Sequence, residues 1–249
     1  MTTDSVIVDV SHDWALACGV QERFMETPRA KTQALTYSAR CRQMRALGGD
    51  CFDFLPLPGR RVALSIADAS GKGLSAALII ANVQSSLRTA ALFAPGDVAA
   101  VVTAVNRQLH ASLPPERYAT LFYGVFDEDT RTLHYVNAGH NAPMIIRGDD
   151  SVEWLESGGP PAGVFAGTEY QPRAIQLNLD DLILAYTDGV VEAPNSAGEE
   201  WGVDGLLAAV AASSLRQPDQ IVQNAFAALD EFSGDRQTDD ATMLAAIVN

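Results

Sequence analysis

The residues best suited to chemistry in this chain are carboxylates that stand beside glycines. Asp50 directly follows two glycines, and Asp68 comes shortly before the run Gly71-Lys72-Gly73. Glycine permits close backbone approach and dihedral angles that other residues avoid. Acidic side chains beside such a backbone are suited to binding a cation, although single Asp-Gly clusters are also typical of ordinary turns.

A short hairpin is predicted to bring these two carboxylates together. Pro58-Gly59-Arg60 is a turn signature between two apolar runs, so residues 51–57 and 61–67 should pair as antiparallel strands. With this loop, the register places Asp50 opposite Asp68. Two ionised carboxylates that face each other repel unless a proton, a basic side chain or a metal ion lies between them.

The same pattern recurs at two strands near the C-terminus. The apolar run 182–186 ends in Thr187-Asp188-Gly189, and Asp239-Asp240 comes just before the apolar run 241–248. Four predicted strand ends therefore each carry an aspartate. Hard divalent cations such as Mg²⁺ and Mn²⁺ prefer oxygen ligands of this kind. The recurrence favours a metal site over a set of unrelated turns.

Taken together, these motifs resemble the PPM-type (type 2C) metal-dependent protein serine/threonine phosphatases. The similarity is to the bacterial branch that regulates sporulation and sigma factors, and it covers roughly residues 34–248. It implies an α+β fold: a four-layer αββα sandwich with two mostly antiparallel central sheets and helices packed outside them. The segments that carry the resemblance are 48–53, 68–73, 135–141, 186–192 and 239–242.

The resemblance also implies a set of ligands and a reaction. Asp68 is expected to bridge two ions, and the backbone carbonyl of Ala69 to be a further ligand. Two Mn²⁺ or Mg²⁺ ions, with a third as an alternative, would lower the pKa of a bridging water so that hydroxide attacks phosphorus in line. The implied catalytic metal ligands are Asp50, Asp68, Asp188 and Asp239.

The roles of several neighbouring residues stay open at this point. Asp53 is interpreted as a support behind the ligands, with binding of a third ion or capping of a strand as alternatives. Asp240 is expected to point away from Asp239 along its strand and to support it. For His140, in a glycine-flanked turn, a structural role is favoured over a catalytic one. The candidates for gripping phosphate are Arg40, Arg42 and Lys72, with a solvated loop charge as an equal alternative for Lys72.

Composition narrows the class of protein and its partners. The chain has 249 residues, of which 47% are hydrophobic and 19% charged, as in a globular protein with a sizeable core. Its net charge of −14 argues against nucleic acid and anionic membranes as partners. No apolar run is expected to span a bilayer, and no signal peptide is evident. Three cysteines without metal-binding spacing fit a reducing compartment, so a cytoplasmic location is expected.

Strand runs that interleave with helix pairs indicate the α+β class, and short connections make the sheets mostly antiparallel. Helices are predicted at 12–25, 73–93, 97–111, 203–213 and 218–232. Strands are predicted at 35–42, 51–57, 61–67, 118–126, 132–137, 143–147, 152–155, 173–178, 182–187 and 241–248.

The N-terminal part is interpreted separately from the rest. Residues 1–30 are predicted to form a tail and an amphipathic helix, and residues 31–249 the phosphatase domain. The helix either packs on its own domain or serves as a regulatory or dimer-forming element. The second interpretation follows the resemblance, because relatives often carry a similar segment between a sensor domain and the phosphatase.

Three functions remain open on the sequence alone. The leading one is a Mn²⁺- or Mg²⁺-dependent phosphatase that hydrolyses phosphoserine or phosphothreonine on a bacterial regulatory protein, such as an anti-sigma-factor antagonist. The second is a binding module that keeps the phosphatase fold but acts through partner recognition. The third is a phosphoesterase for small molecules, which a deep and closed pocket would favour.

Overall fold

The computed structural model describes residues 3–25, 32–213, 217–234 and 236–249. Within these residues, ten strands form two five-stranded sheets with helices on both outer faces. The strands are β1 (Leu35–Arg42), β2 (Asp50–Leu57), β3 (Arg61–Ala69), β4 (Ala119–Asp127), β5 (Thr132–Ala138), β6 (Met144–Ile146), β7 (Val152–Trp154), β8 (Arg173–Gln176), β9 (Leu182–Tyr186) and β10 (Ala241–Val248).

The described helices are α1 (Thr3–Phe24), α2 (Leu74–Phe93), α3 (Val98–Ser112), α4 (Asp188–Val191), α5 (Gly202–Ala211) and α6 (Pro218–Ser233). One sheet has the order β1-β10-β9-β6-β7 and the other the order β2-β3-β4-β5-β8, and the ladders between these strands are antiparallel. The α+β sandwich predicted from the sequence is confirmed.

Three apolar cores lie between the four layers of sheets and helices. The alternation of side chains along each strand decides which core a residue enters. On β2, Phe52 and Phe54 face the core between the two sheets, whereas Cys51 and Leu57 face the core under α2 and α3. A third core lies between the other sheet and α5 and α6. Even-numbered residues of β2 therefore point into the core between the sheets, and Asp50 is on this face of the strand.

The predicted hairpin and its register are confirmed. Strands β2 and β3 pair on either side of residues 58–60, with Leu57 opposite Arg61 and Asp50 opposite Asp68. Since the loop lies far from the two carboxylates, the ladder itself fixes their separation. The hairpin therefore holds both acidic residues at one end of the sandwich.

The N-terminal helix begins earlier than the sequence predicted. Residues 3–11 were interpreted as part of a tail, but α1 starts at Thr3. The apolar residues of 6–8 gave no helical period with those that follow, so the pattern did not show the continuation. The predicted boundary between residues 30 and 31 lies outside the described residues.

Helix α2 also departs from expectation, because the sequence predicted no apolar run long enough to span a bilayer. Among the described residues, α2 alone is long and apolar enough by length and composition. In the structure it packs on the sheet that contains β2 and β3, as the core helix of a sandwich does. Its buried residues are Ala76, Ala77, Ile79, Ile80, Val83, Gln84, Leu87 and Ala91.

Candidate metal centre

Four strand ends meet at one end of the sandwich and bring the predicted acidic residues together. Strand β2 starts at Asp50, and β3 ends one residue after Asp68. In the other sheet, Asp188 follows the end of β9, and Asp239 precedes the start of β10. Because β2 pairs with β3 and β9 pairs with β10 in antiparallel fashion, a strand start lies beside a strand end in each sheet.

Asp50 connects the two sheets directly. Its Oδ2 accepts hydrogen bonds from the Thr187 hydroxyl at 2.8 Å and from the Thr242 hydroxyl at 2.7 Å. The Thr187 hydroxyl also accepts a hydrogen bond from the Thr242 backbone at 2.9 Å. Both threonines belong to the sheet opposite Asp50, so the carboxylate is oriented only when the two sheets are packed together.

Among the described residues, neither Asp50 nor Asp68 forms an ion pair with a basic side chain. Asp50 is 1% exposed. Burial first, and then the charge of Asp68, raises the pKa of Asp50 well above its ordinary value, against the lowering effect of the two threonine hydroxyls. Burial and then the charges of Asp188 and Asp239 raise the pKa of Asp68 to about 8. The pair therefore retains a proton at neutral pH in the absence of a cation.

Asp188 is held at the start of α4 by a close approach of backbone segments. A Cβ on Gly189 would lie 2.0 Å from the Asp240 carbonyl oxygen and 3.3 Å from the Asp239 Cβ. Only glycine therefore fits beside the segment that carries Asp239. Burial and then the charge of Asp239 raise the pKa of Asp188, which is further sign of crowded negative charge.

The four predicted ligands are gathered, but they do not converge as a ligand set. Within the described parts of the chain, no three Asp, Glu, His or Cys side chains approach closely enough to hold a metal ion. Asp239 is engaged within the chain instead: its Oδ2 lies 2.5 Å from the Lys72 ammonium, and its Oδ1 accepts the Asp240 backbone N–H at 2.9 Å. A cation bound through the Asp239 Oδ2 would compete with the Lys72 ammonium for that oxygen.

Asp240 supports the loop before Asp50. Its carboxylate accepts the backbone N–H of Met44 and that of Gly49, both at 2.6 Å. The Gly49 carbonyl in turn accepts the backbone N–H of Ala69 at 2.9 Å. The backbone of the segment next to Asp50 is thus tied both to β3 and to the residue after Asp239.

Asp53 does not lie behind the predicted ligands, contrary to the prediction from the sequence. Its carboxylate pairs with the Arg88 guanidinium of α2, with Nε at 2.6 Å and Nη2 at 3.3 Å. Residues three apart on a strand point to opposite faces, so Asp53 faces the helices whereas Asp50 faces the other sheet. The structure shows Asp53 as one half of a helix–sheet ion pair.

His140 lies next to Thr120, the β4 residue opposite Asp68, and hydrogen bonds within its own turn hold it in place. The Asn137 side chain accepts the His140 backbone N–H at 2.8 Å and donates to the His140 carbonyl at 3.1 Å. The ring Nδ1 is 2.8 Å from the hydroxyl of Thr120, the residue that pairs with Asp68 across β3 and β4. Burial lowers the pKa of His140 to about 4, so the ring is neutral near pH 7.

Of the three basic residues proposed to grip phosphate, two lie elsewhere. Arg42 forms an ion pair with Asp230 of α6, and the guanidinium groups of Arg40 and Arg42 both stack over the Phe226 ring on the outer face of β1. Lys72 alone of the three contacts the aspartates.

Two arginines that no sequence pattern singled out lie beside the loop after Asp68. Arg117 donates to the Ser70 carbonyl at 2.9 Å, and Arg45 lies against Gly73. Both arginines lie in loops that carry no recognisable motif, and each is at least 28 residues along the chain from the residue it contacts. Only the tertiary structure therefore reveals these contacts.

The residues fit a divalent cation by their chemistry. Crowded carboxylates raise one another's pKa values, and Lys72 is only a partial counter-charge because its side chain is 44% exposed. Oxygen ligands and a surplus of negative charge match Mg²⁺ or Mn²⁺ rather than a softer metal. Asp50, Asp68, Asp188 and Asp239 remain the predicted ligands, together with the Ala69 carbonyl.

Solved structures place this fold among the PP2C-type phosphatases. The SiaA-PP2C domain of Pseudomonas aeruginosa superimposes with a TM-score of 0.83 at 15% identity, covering 98% of this chain and 99% of that one. The RsbU and RsbW domains of Rv1364c from Mycobacterium tuberculosis give a TM-score of 0.74 at 29% identity, over 87% of this chain and 60% of that chain.

The family follows from the sequence comparison. The family model for Stage II sporulation protein E (SpoIIE) matches residues 58–249, so this chain belongs to the SpoIIE family, and the resemblance noted from its motifs is confirmed. Asp68, Asp188 and Asp239 lie inside the matched region, and Asp50 lies just before it.

Two curated relatives extend over most of the chain. Protein IcfG of Synechocystis sp. is 26% identical over 92% of this chain, and phosphoserine phosphatase RsbU of Bacillus subtilis is 23% identical over 95% of it. The chain spans 40% of the length of IcfG and 70% of that of RsbU.

Proposed function

We propose that this chain is a Mn²⁺- or Mg²⁺-dependent protein serine/threonine phosphatase that acts on a phosphorylated bacterial regulatory protein. The observation that carries the proposal is the pairing of buried Asp50 with half-buried Asp68 at the meeting point of both sheets, with Asp188 and Asp239 beside them. In a PP2C-type fold, such a concentration of acidic side chains is suited to binding cations that in turn bind phosphate.

The proposed ligands are the four aspartates and the Ala69 carbonyl, and two ions are expected. The catalytic domain of the phosphatase PstP, which has this fold at a TM-score of 0.61 and 17% identity, was solved with two manganese ions. Bound ions would supply an activated water and neutralise phosphate charge. The structure supports this reaction class through its donor chemistry, and the number of ions stays a prediction.

The chain's own residues orient and compensate the ligands. The Thr187 and Thr242 hydroxyls hold one oxygen of Asp50 and leave its other oxygen to face Asp68. Asp240 fixes the Gly49 backbone. Lys72 is the basic side chain in contact with the cluster, so its ammonium is the best placed of the predicted candidates to meet a phosphate group.

A phosphorylated protein suits the centre better than a small phosphoester. A cavity of about 380 Å³ lies between the β6–β7 hairpin, β9 and α5 and α6, and a groove of about 440 Å³ lies between α2 and α3. Neither is lined by the acidic cluster, whose Asp188 and Asp239 are partly exposed at the end of the sandwich. An open site admits a side chain presented by a protein surface, and RsbP and RsbU of Bacillus subtilis are named phosphoserine phosphatases.

Helix α1 is proposed to serve a homodimer. Trp14, Leu16 and Val20 are 40%, 57% and 55% exposed, so the described residues leave apolar surface on this helix uncovered. Changing Leu16 to Glu should then lower the mass in solution measured by light scattering, whereas Glu22→Ala should not. A wild-type chain that is monomeric at all concentrations tested would exclude the dimer.

The proposed activity is tested by hydrolysis of p-nitrophenyl phosphate and of a phosphoserine peptide, with and without Mn²⁺, for the wild type and Asp188→Asn. Release of phosphate by the wild type only, and only with Mn²⁺, is the expected result. A wild type that binds Mn²⁺ but hydrolyses neither substrate would favour the binding module. A higher kcat/KM for p-nitrophenyl phosphate than for the peptide would favour the small-molecule phosphoesterase.

A further inference from the structure

Two arginines lie against the glycine-containing loop that follows β3. A Cβ on Gly71 would overlap the Nη1 of Arg117, which donates to the Ser70 carbonyl at 2.9 Å. A Cβ on Gly73 would lie 3.4 Å from the Nη1 of Arg45. Both glycines have positive φ angles, 101° and 70°, which other residues rarely adopt. The backbone of this loop therefore leaves room for a guanidinium group at each of its two glycines.

Neither arginine has an acidic partner in the parts of the chain that the structure describes. The ion pairs found there engage other basic side chains. Arg45 is exposed and Arg117 is half-buried. The whole chain has 31 acidic and only 17 basic residues, so carboxylates are in excess. Two guanidinium groups beside one loop therefore form a local patch of positive charge on an acidic protein.

This loop borders the candidate metal centre. It follows Ala69, whose carbonyl is a predicted ligand, and its Lys72 pairs with Asp239. The Gly71 carbonyl lies 3.6 Å from the position of a Cβ on Gly49, so the loop also touches the segment that leads into β2. Consecutive residues of a peptide are about 3.8 Å apart. Residues that flank a phosphoresidue held at the centre would therefore reach the two arginines.

The side of the centre that belongs to the other sheet is more acidic. Burial first, and then the charges of Asp188, Glu200 and Asp239, raise the pKa of Glu192, which follows α4. Arg236 also lies on this side and donates to a backbone carbonyl of the loop before α5. A bound segment with carboxylates beside its phosphoresidue would be repelled by the acidic side and attracted to the two arginines.

We propose that Arg45 and Arg117 form an acidic-flank subsite, which favours phosphorylated protein segments with aspartate or glutamate beside the phosphoresidue. This inference rests on the proposed function, because it names the substrate class of the same centre. A guanidinium group donates two parallel N–H groups to a carboxylate, so arginine is well suited to this contact. The subsite binds residues outside the reacting phosphate and takes no part in the chemistry.

The test uses two phosphoserine peptides that differ only in their flanks, with aspartates and glutamates in one and asparagines and glutamines in the other. Values of kcat/KM with Mn²⁺ are compared for the wild type and the double variant Arg45→Gln/Arg117→Gln. An exposed ion pair strengthens binding by up to about fivefold. The loss for the acidic peptide should therefore exceed the loss for the neutral peptide by about 5- to 25-fold.

Two matched variants control this comparison. Arg131→Gln removes an exposed arginine from the β4–β5 turn, at the far end of β4 from the centre, and should keep the wild-type ratio between the peptides. Arg45→Gln alone breaks no hydrogen bond among the described residues, so it replaces the double variant if that variant does not fold. It should lower the ratio by up to about fivefold. In the wild type, the ratio should fall as salt is added, because salt screens exposed charges.

The outcomes separate this inference from the proposed function. Equal losses for both peptides in the double variant, or an unchanged ratio, would overturn the subsite and leave the phosphatase activity standing. If the wild type hydrolyses neither peptide, fluorescence anisotropy with Mn²⁺ measures binding of both. Tighter binding of the acidic peptide that is lost in Arg45→Gln would then support the subsite although the proposed activity fails. A wild type that neither binds nor hydrolyses either peptide would overturn both.

Discussion

Asp50 and Asp53 lie on the same strand and have opposite electrostatic surroundings. Asp50 faces another carboxylate, Asp68, and two neutral hydroxyls, whereas Asp53 faces the guanidinium of Arg88. Strand alternation alone sends one to the core between the sheets and the other to the helices. The negative charge of an aspartate with an arginine partner is balanced within the fold. An aspartate opposed by a second carboxylate needs a proton or a cation to offset the repulsion, which is the environment expected of a predicted ligand.

The largest effect expected from this contrast is loss of activity in Asp68→Asn. Removal of a charged ligand should cost several kcal/mol of transition-state stabilisation, or a fall in kcat/KM of about 1,000-fold or more. Stability without metal should be retained at pH 8, because the neutral amide removes a buried charge conflict. Steady-state kinetics and thermal unfolding of the same preparation check both parts. A variant that stays active would remove Asp68 from the site.

The second prediction concerns pH and the metal-free protein. The pKa of Asp68 is raised to about 8 in the fold from 3.8, so the folded state holds a proton that the unfolded state has lost between these values. Stability is therefore complete near pH 4 and falls as pH rises to about 8, by at most about 1.4 kcal/mol per pH unit. Mn²⁺ should oppose this fall, since it binds the ionised form. Urea unfolding at several pH values with and without Mn²⁺ measures the effect, and a flat metal-free profile would contradict it.

The third prediction is that Asp53→Asn lowers stability but leaves Mn²⁺ affinity and activity nearly unchanged. Loss of the partly exposed pair with Arg88 should lower the free energy of unfolding by about 1 kcal/mol. The Mn²⁺ affinity and kcat of the folded protein should stay within about twofold of the wild type, because Asp53 lies on the other face of the sheet. Chemical denaturation and Mn²⁺ titration give the two numbers. A tenfold loss of Mn²⁺ affinity would instead show that Asp53 acts on the centre.

The smallest effect is expected for Lys72→Met, which removes the internal competitor for Asp239. The pair is exposed on both sides, so its contribution is at most about 1 kcal/mol and the gain in Mn²⁺ affinity at most about fivefold. If Lys72 also meets phosphate, KM should rise in the same variant while Mn²⁺ affinity improves. Weaker Mn²⁺ binding by Lys72→Met would contradict the competition.

Local rules were enough to predict most of the elements and the hairpin register. The loop residues 58–60 and the apolar alternation on both sides specify which positions face each other, and this placed Asp50 opposite Asp68. Assignment of Asp53 to the same site was wrong, although the alternation that predicted β2 already placed it on the opposite face. Short α4 was missed because four residues provide no period.

Contacts between distant elements could not be predicted in this way. The hydrogen bonds from Gln21 to Gly48, the Lys72–Asp239 pair and the contact of Arg117 with Ser70 join residues on separate elements. No spacing rule connects them, since each depends on how helices and loops pack on the sheets. The prediction of the four aspartates as one group of ligands, in contrast, drew on a recurrent local pattern at strand ends and on the family resemblance.

The hydrogen bonds from Thr187 and Thr242 to Asp50 have a consequence for folding. They place the centre at a seam that exists only when β9 and β10 have joined the β2–β3 hairpin. An intermediate with one sheet formed would offer only one of the two pairs of aspartates, and its affinity for a cation would be lower. Cation binding would then stabilise the fully assembled chain relative to partly folded forms by mass action. The fraction of correctly folded molecules would therefore rise with the cation concentration.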